Sequence, residues 1–363
     1  MSKNSCHLKF NTAYMEKDKI WFLPYNSREL FEMDVVSGEM TFLTSVDVPN
    51  YAAASFKGIM KHGDHIILAP YFGSCFLFYN FVKKTLKAVE LEKDVKYEFS
   101  YGYSDGKYVY FTGTQPMIAR IDPLTCEVQF FDVTPKKIEN SMETVNGMWS
   151  RGKAVLRDGE IILPTFIDSK ILYWNVCAEK GRFQKINGID LPLSDLIVTD
   201  QESYALPRMG NVIYILEHDQ SYKMYFEEAN VELNGYFHLL YSMDQIFVLN
   251  YLSGDIYRLD REQALLKKEK GVLADSDFDN ADSTMQIRWA GTEEDRLYLS
   301  VMGNSNLICW NFMENKRSEI CMQLLNRDKY MEQVLQTQGY IYENPGCAEL
   351  KDILKLVGET KHG

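Results

Sequence analysis

Seven times along this chain a polar turn leads into an apolar strand, and fourteen residues after a fixed point in that strand stands an acid or an amide. The strand anchors are Ile20, Ile66, Tyr108, Ile161, Ile213, Ile246 and Leu297, and the closing residues are Asp34, Asn80, Asp122, Asn175, Glu227, Asp260 and Asn311. Turn groups such as Gly63-Asp64-His65, Asp105-Gly106-Lys107 and Asp158-Gly159-Glu160 tolerate the tight geometry of a hairpin. Successive anchors lie 46, 42, 53, 52, 33 and 51 residues apart, about the length of one four-stranded sheet. One such sheet cannot bury its own faces, so it must stack on its neighbours. The repeat therefore predicts an all-β fold, a β-propeller of about seven four-stranded blades, in which ring closure buries the end blades and leaves few free edges.

Blade 2 displays the whole unit, with strands over residues 56–61, 66–71, 75–81 and 85–91. The short interval before Ile246 is accommodated by a fourth strand over 229–233, a turn at Asn234-Gly235 and a new first strand over 236–242. An Asp or Asn closing the third strand is read as structural, because its side chain can bond the backbone of the following turn and because it recurs. After Leu325 the spacing becomes helical, and Leu350, Ile353, Leu354 and Val357 fall on one face. The expected division is a propeller over residues 1–325 and a short C-terminal helical tail over 326–363 packed on it.

The content of 13% aromatic residues suits half-buried strands. A net charge of -12, with a single short basic run at Lys267, Lys268 and Lys270, argues against a nucleic-acid partner. Seven cysteines without a C-x-x-C pair read as small buried hydrophobes in a reducing, cytoplasmic setting, with no metal site and no cofactor expected. The chain has no long apolar window, so no membrane span is expected.

The blade units, among them Tyr173-Trp174-Asn175 and Cys309-Trp310-Asn311, resemble the irregular seven-bladed propellers near the YVTN, kelch-like and WD40-like groups, over about Leu8 to Leu325. The chain has neither the Trp-Asp pair of WD40 repeats nor the Gly-Gly pair of kelch repeats. The resemblance thus implies the fold and carries over no functional residue.

Candidate site residues follow from propeller geometry. The loops between second and third strands share one face with the starts of the first strands, and ligand sites gather there. On that face the sequence places Tyr25, Tyr71, Trp149, Arg151, Tyr251 and Arg288 as ligand-binding residues, with Lys57, Tyr101, Tyr204, His238 and Trp289 near the heads of first strands. Aromatic faces with a few cationic groups suit a polar small molecule, a glycan or a protein segment. Glu217-His218-Asp219, read as a loop of this face, and His238 are the candidates for acid-base chemistry, as in a lyase or glycosidase. HExxH, G-x-S-x-G and phosphate-loop motifs are all missing, so binding weighs over catalysis.

Overall fold

The structure is a computed structural model that describes residues 10–24, 29–46, 56–92, 95, 97–139, 153–166, 169–217, 220–234, 236–278, 285–326 and 328–330. Within them seven antiparallel four-stranded blades follow one another along the chain. Their first strands are Phe10–Glu16, Phe56–His62, Tyr97–Ser104, Val155–Arg157, Leu193–Val198, Phe237–Ser242 and Ile287–Glu293. These seven neighbour one another in chain order, and the last lies against the first, so the fold is a closed β-propeller.

Both faces of a middle strand are covered by adjacent blades. Lys19–Pro24, the second strand of blade 1, is buried beyond its first residue, and Cys75–Asn80, the third strand of blade 2, is buried throughout. Outermost strands such as Thr85–Glu90 are largely exposed. That layering explains why the sequence shows continuous apolar runs instead of strict alternation. Seven apolar clusters result, one at each contact between neighbouring blades. The cluster joining blade 7 to blade 1 brings Tyr298, Leu307 and Cys309 against Phe10, Phe22 and Phe31. Each large side chain so enclosed contributes roughly 1.5–3 kcal/mol.

The anchors at Ile20, Ile66, Ile161, Ile246 and Leu297 take equivalent buried places in second strands. In blade 3 the connection is one residue shorter, and Val109 takes that place instead of Tyr108. Blade 5 corrects the sequence reading. Its four strands are Leu193–Val198, Ser203–Pro207, Val212–Glu217 and Gln220–Phe226, so Ile213 lies in the third strand and Ser203 holds the anchor position. Gly210-Asn211 looks like a first hairpin but joins the second and third strands. With Ser203 as anchor the intervals become 42 and 43 residues, in line with the other blades. Leu216 lies opposite Ser203 as Met33 lies opposite Ile20, so Glu217 stands where other blades have their closing acid or amide, and Glu227 follows the fourth strand.

Six predicted turn residues cap the turn after the third strand. Asp34 Oδ1 accepts the amides of Val36 and Ser37 at 3.0 and 2.9 Å. Asp122, Asn175 and Asn311 each repeat this pair of bonds, while Asn80 and Asp260 accept one amide each. Beyond blade 7 the chain crosses to blade 1, where Gln323–Leu324 runs parallel to Glu39 and Met40. Asn326 bonds both the amide and the carbonyl of Phe42, and the backbone turns helical at residues 328–330. There the ring of Tyr330 packs on Phe31 and Phe42. Leu350, Ile353, Leu354 and Val357 lie outside the described residues.

Candidate functional site

Five first strands carry an extra residue near their heads. Register shifts against the second strand leave Asn11, Lys57, Ser100, Ser194 and Arg288 out of the residue-to-residue register, each one residue after a buried apolar side chain. A bulge of this kind bends the strand and re-aims its side chain, and bulges gather at barrel rims and beside functional sites. Asn11, Lys57, Ser100 and Arg288 line one cavity of about 510 Å³ at the centre of the ring. Lys153, Asp195 and His238, at the heads of blades 4, 5 and 6, line it too, so every blade contributes a polar group.

Asp195 is the fixed point of the wall. It is 2% exposed. Its Oδ1 accepts the amides of Lys153 at 3.3 Å and Leu196 at 2.9 Å, and Oδ2 accepts the amide of Leu239 at 2.9 Å. One carboxylate thus ties together the inner edges of three consecutive blades. The same Oδ2 stands 3.5 Å from Nδ1 of His238, whose ring rests against Tyr251 with centroids 4.6 Å apart. Desolvation lowers the pKa of Lys153, and the Asp195 carboxylate opposes this. Burial, reinforced by Asp195, raises the phenol pKa of both Tyr101 and Tyr251, so each keeps its proton at neutral pH.

On the opposite wall Lys57 Nζ lies 4.4 Å from the centre of the Tyr71 ring, a cation–π contact that holds the ammonium at the cavity. Arg288 Nε approaches Met302 Sδ at 2.9 Å. Trp289 donates its indole N–H to the carbonyl of Ala13 at 3.2 Å across the blade 7 to blade 1 junction. Its ring covers Gly291 so closely that a Cβ there would lie 2.6 Å from the indole. Among the described lining residues Asp195 is the sole acid, against Lys57, Lys153 and Arg288. The described lining is therefore cationic inside a protein of net charge -12.

Of the residues singled out from the sequence, the structure brings Tyr71, Tyr251, Arg288, His238, Lys57, Tyr101 and Trp289 to this cavity. Tyr25, Trp149, Arg151, His218 and Asp219 lie outside the described residues. Glu217 is a correction: it ends the third strand of blade 5 and pairs with Gln220, at the end of the blade away from the funnel and exposed. Tyr204 is another, being fully buried in the core between blades 5 and 6. Sequence reasoning missed Asp195, Lys153 and Asn11. The displaced frame of blade 5 hid Asp195, and the even 42- and 43-residue spacing through Ser203 is the signal that would have revealed it. Among the described residues no group of three or more His, Cys, Asp or Glu is placed to hold a metal ion.

No protein-family model matches the chain, and no curated protein matches it. Solved structures do. Virginiamycin B lyase from Staphylococcus aureus aligns with a TM-score of 0.60 at 9% identity, covering 83% of this chain and 93% of that one. A streptogramin B lyase aligns at 0.60 and 11% identity, covering 83% and 92%. YCF48 bound to D1 peptide aligns at 0.58 and 9%, covering 84% and 91%. The likeness is one of fold: the chain is a β-propeller like these proteins, and no family is singled out.

Proposed function

We propose that this propeller binds a small organic acid in its central funnel. The observation that carries the reading is the set of three cations, Lys57, Lys153 and Arg288, which come from three blades and line one cavity whose sole described acid, Asp195, is already engaged by backbone amides. A cavity of about 510 Å³ suits a small molecule. Tyr71, Tyr101 and Tyr251 add flat apolar area, and neutral phenols donate hydrogen bonds to an anion. Calorimetric titration with a panel of organic acids and matched neutral compounds, at low ionic strength, tests it. Acids are expected to bind and neutral analogues to bind weakly. Equal binding of both, or a ligand mapped to the turns at Gly63 and Asp105, overturns the reading.

A second reading, that the funnel is catalytic, is favoured by the approach of His238 to Asp195 at 3.5 Å. An imidazole oriented by a carboxylate beside a cavity is arranged as a general base. Two of the aligned propellers are lyases and one is bound to a peptide, so the architecture serves both activities. Turnover of a bound acid that His238→Ala abolishes while binding persists would establish catalysis. Unchanged ligand after prolonged incubation would leave the funnel a binding site.

A further inference from the structure

We infer that the funnel selects hydroxylated acids, with His238 as the residue that reads the hydroxyl; the inference rests on the acid-binding reading above. The argument is an inventory of donors and acceptors. Lys57, Lys153 and Arg288 only donate. Tyr101 and Tyr251 hold their protons, since burial opposes ionisation of both. A site so rich in donors demands acceptors from its ligand, and a carboxylate is the densest source of them.

Acceptors for a ligand are few on the described wall. The oxygens of Asp195 are taken by the amides of Lys153, Leu196 and Leu239. The Thr12 hydroxyl donates to the carbonyl of Lys57. Asn11 Nδ2 donates to the carbonyl of Phe56 at 3.2 Å, which fixes the amide orientation and leaves Oδ1 as its acceptor.

Beside Asn11 Oδ1 and the engaged oxygens of Asp195, the other side-chain oxygen or nitrogen acceptor on the described wall that carries no hydrogen belongs to His238. Nδ1 of His238 faces Oδ2 of Asp195 at 3.5 Å, and an acceptor on that side of the ring favours the tautomer with the hydrogen on Nδ1. In the neutral ring Nε2 then carries the lone pair, and among the described residues it has no partner. The side chain is 24% exposed and lines the funnel. Nε2 therefore accepts from a ligand O–H, while the cations hold the acid group. Asp195 is a positioning residue here: without it either nitrogen carries the hydrogen, and the selection is lost.

Three probes that share one six-carbon chain separate these roles. Adipate has the two carboxylates alone, galactarate adds hydroxyls, and galactitol has hydroxyls without carboxylates. Affinities are measured by calorimetry at pH 8, where an imidazole is neutral. Galactarate should bind about tenfold or more tightly than adipate, the effect of roughly one hydrogen bond. His238→Phe keeps the ring against Tyr251 and removes the acceptor, and should bring the ratio to about one; His238→Gln restores an acceptor and should recover part of it. Asp195→Asn gives an independent route to the same collapse. Equal binding of galactarate and adipate, with adipate still weakened by Arg288→Ala, overturns the hydroxyl selection and leaves acid binding in place. Galactitol binding as tightly as galactarate, or no binding of either acid, overturns both.

Discussion

After the third strand, six blades repeat one device, an Asp or Asn whose Oδ1 holds the turn. At the heads of the first strands, five blades repeat one backbone device, the bulge, but vary what it presents: Asn11, Lys57, Ser100, Ser194 and Arg288. Lower turns therefore reuse a side chain for the same task, whereas the upper ring reuses a backbone shape to offer different chemistry. Within one molecule, repetition of residue type marks what every blade needs to fold, and variation on a fixed backbone marks what the ring does as a whole.

The largest expected effect comes from the one upper residue that does both. Asp195→Ala leaves three backbone amides without their acceptor, and should cost about 3 kcal/mol of unfolding free energy, measured by urea denaturation. A loss below about 0.5 kcal/mol, ordinary for a surface position, would mean that the upper ring is not tied by this group. Next come the cations. Lys57→Ala and Arg288→Ala should each weaken binding of an organic acid by about 1.5–3 kcal/mol with the melting temperature nearly unchanged. A stability change in place of an affinity change would put these bulges with the folding devices and break the contrast.

A lower turn should behave in the opposite way. Asp122→Ala removes the bonds to Leu124 and Thr125 and should cost about 1 kcal/mol of stability, with ligand affinity untouched. The smallest effect is a dependence on pH. The Ser37 amide, chiefly, holds the Asp34 carboxyl below its ordinary 3.8, and the Thr125 amide does the same for Asp122. A lowered folded pKa means stability that is present above 3.8 and lost as pH falls through the folded value. The double change to Asn, the residue that blades 2, 4 and 7 already use, keeps the acceptor and should flatten the melting temperature in that acid range. An unaltered acid limb would show that these turns do not set it.

How far the sequence was legible follows the same division. Turn glycines, buried middle strands and capping residues act within a few positions of one another, so spacing alone reveals them, and the propeller with it. Blade 5 escaped because Glu217, paired with Gln220, stands where other blades have a turn-capping Asp or Asn, and Gly210-Asn211 imitates a first hairpin one strand too late. The funnel was legible by half. Tyr71, Tyr251, Arg288 and His238 follow from loop geometry, since any residue at those places must face the axis. Asp195 does not, because Leu-Ser-Asp-Leu-Ile-Val carries no local sign that its acid binds amides 42 and 44 residues away in both directions. Contacts of that kind are made by ring closure, and no window of sequence contains them.

The way the ring closes sets a timetable for its birth. All four strands of blade 1 come early in the chain, but among the described residues the flank formed by Phe10, Phe22, Phe31 and Phe42 is covered by blade 7 and by Met322, Leu324 and Tyr330 beyond it. The amide of Phe10 meets the hydroxyl of Ser300, 290 residues later. At translation speeds of roughly 5–20 residues per second, that flank waits about 15–60 seconds for its cover. During that interval a nascent chain presents four aromatic rings on one side of a finished sheet, which gives a chaperone a binding surface that the mature protein no longer has.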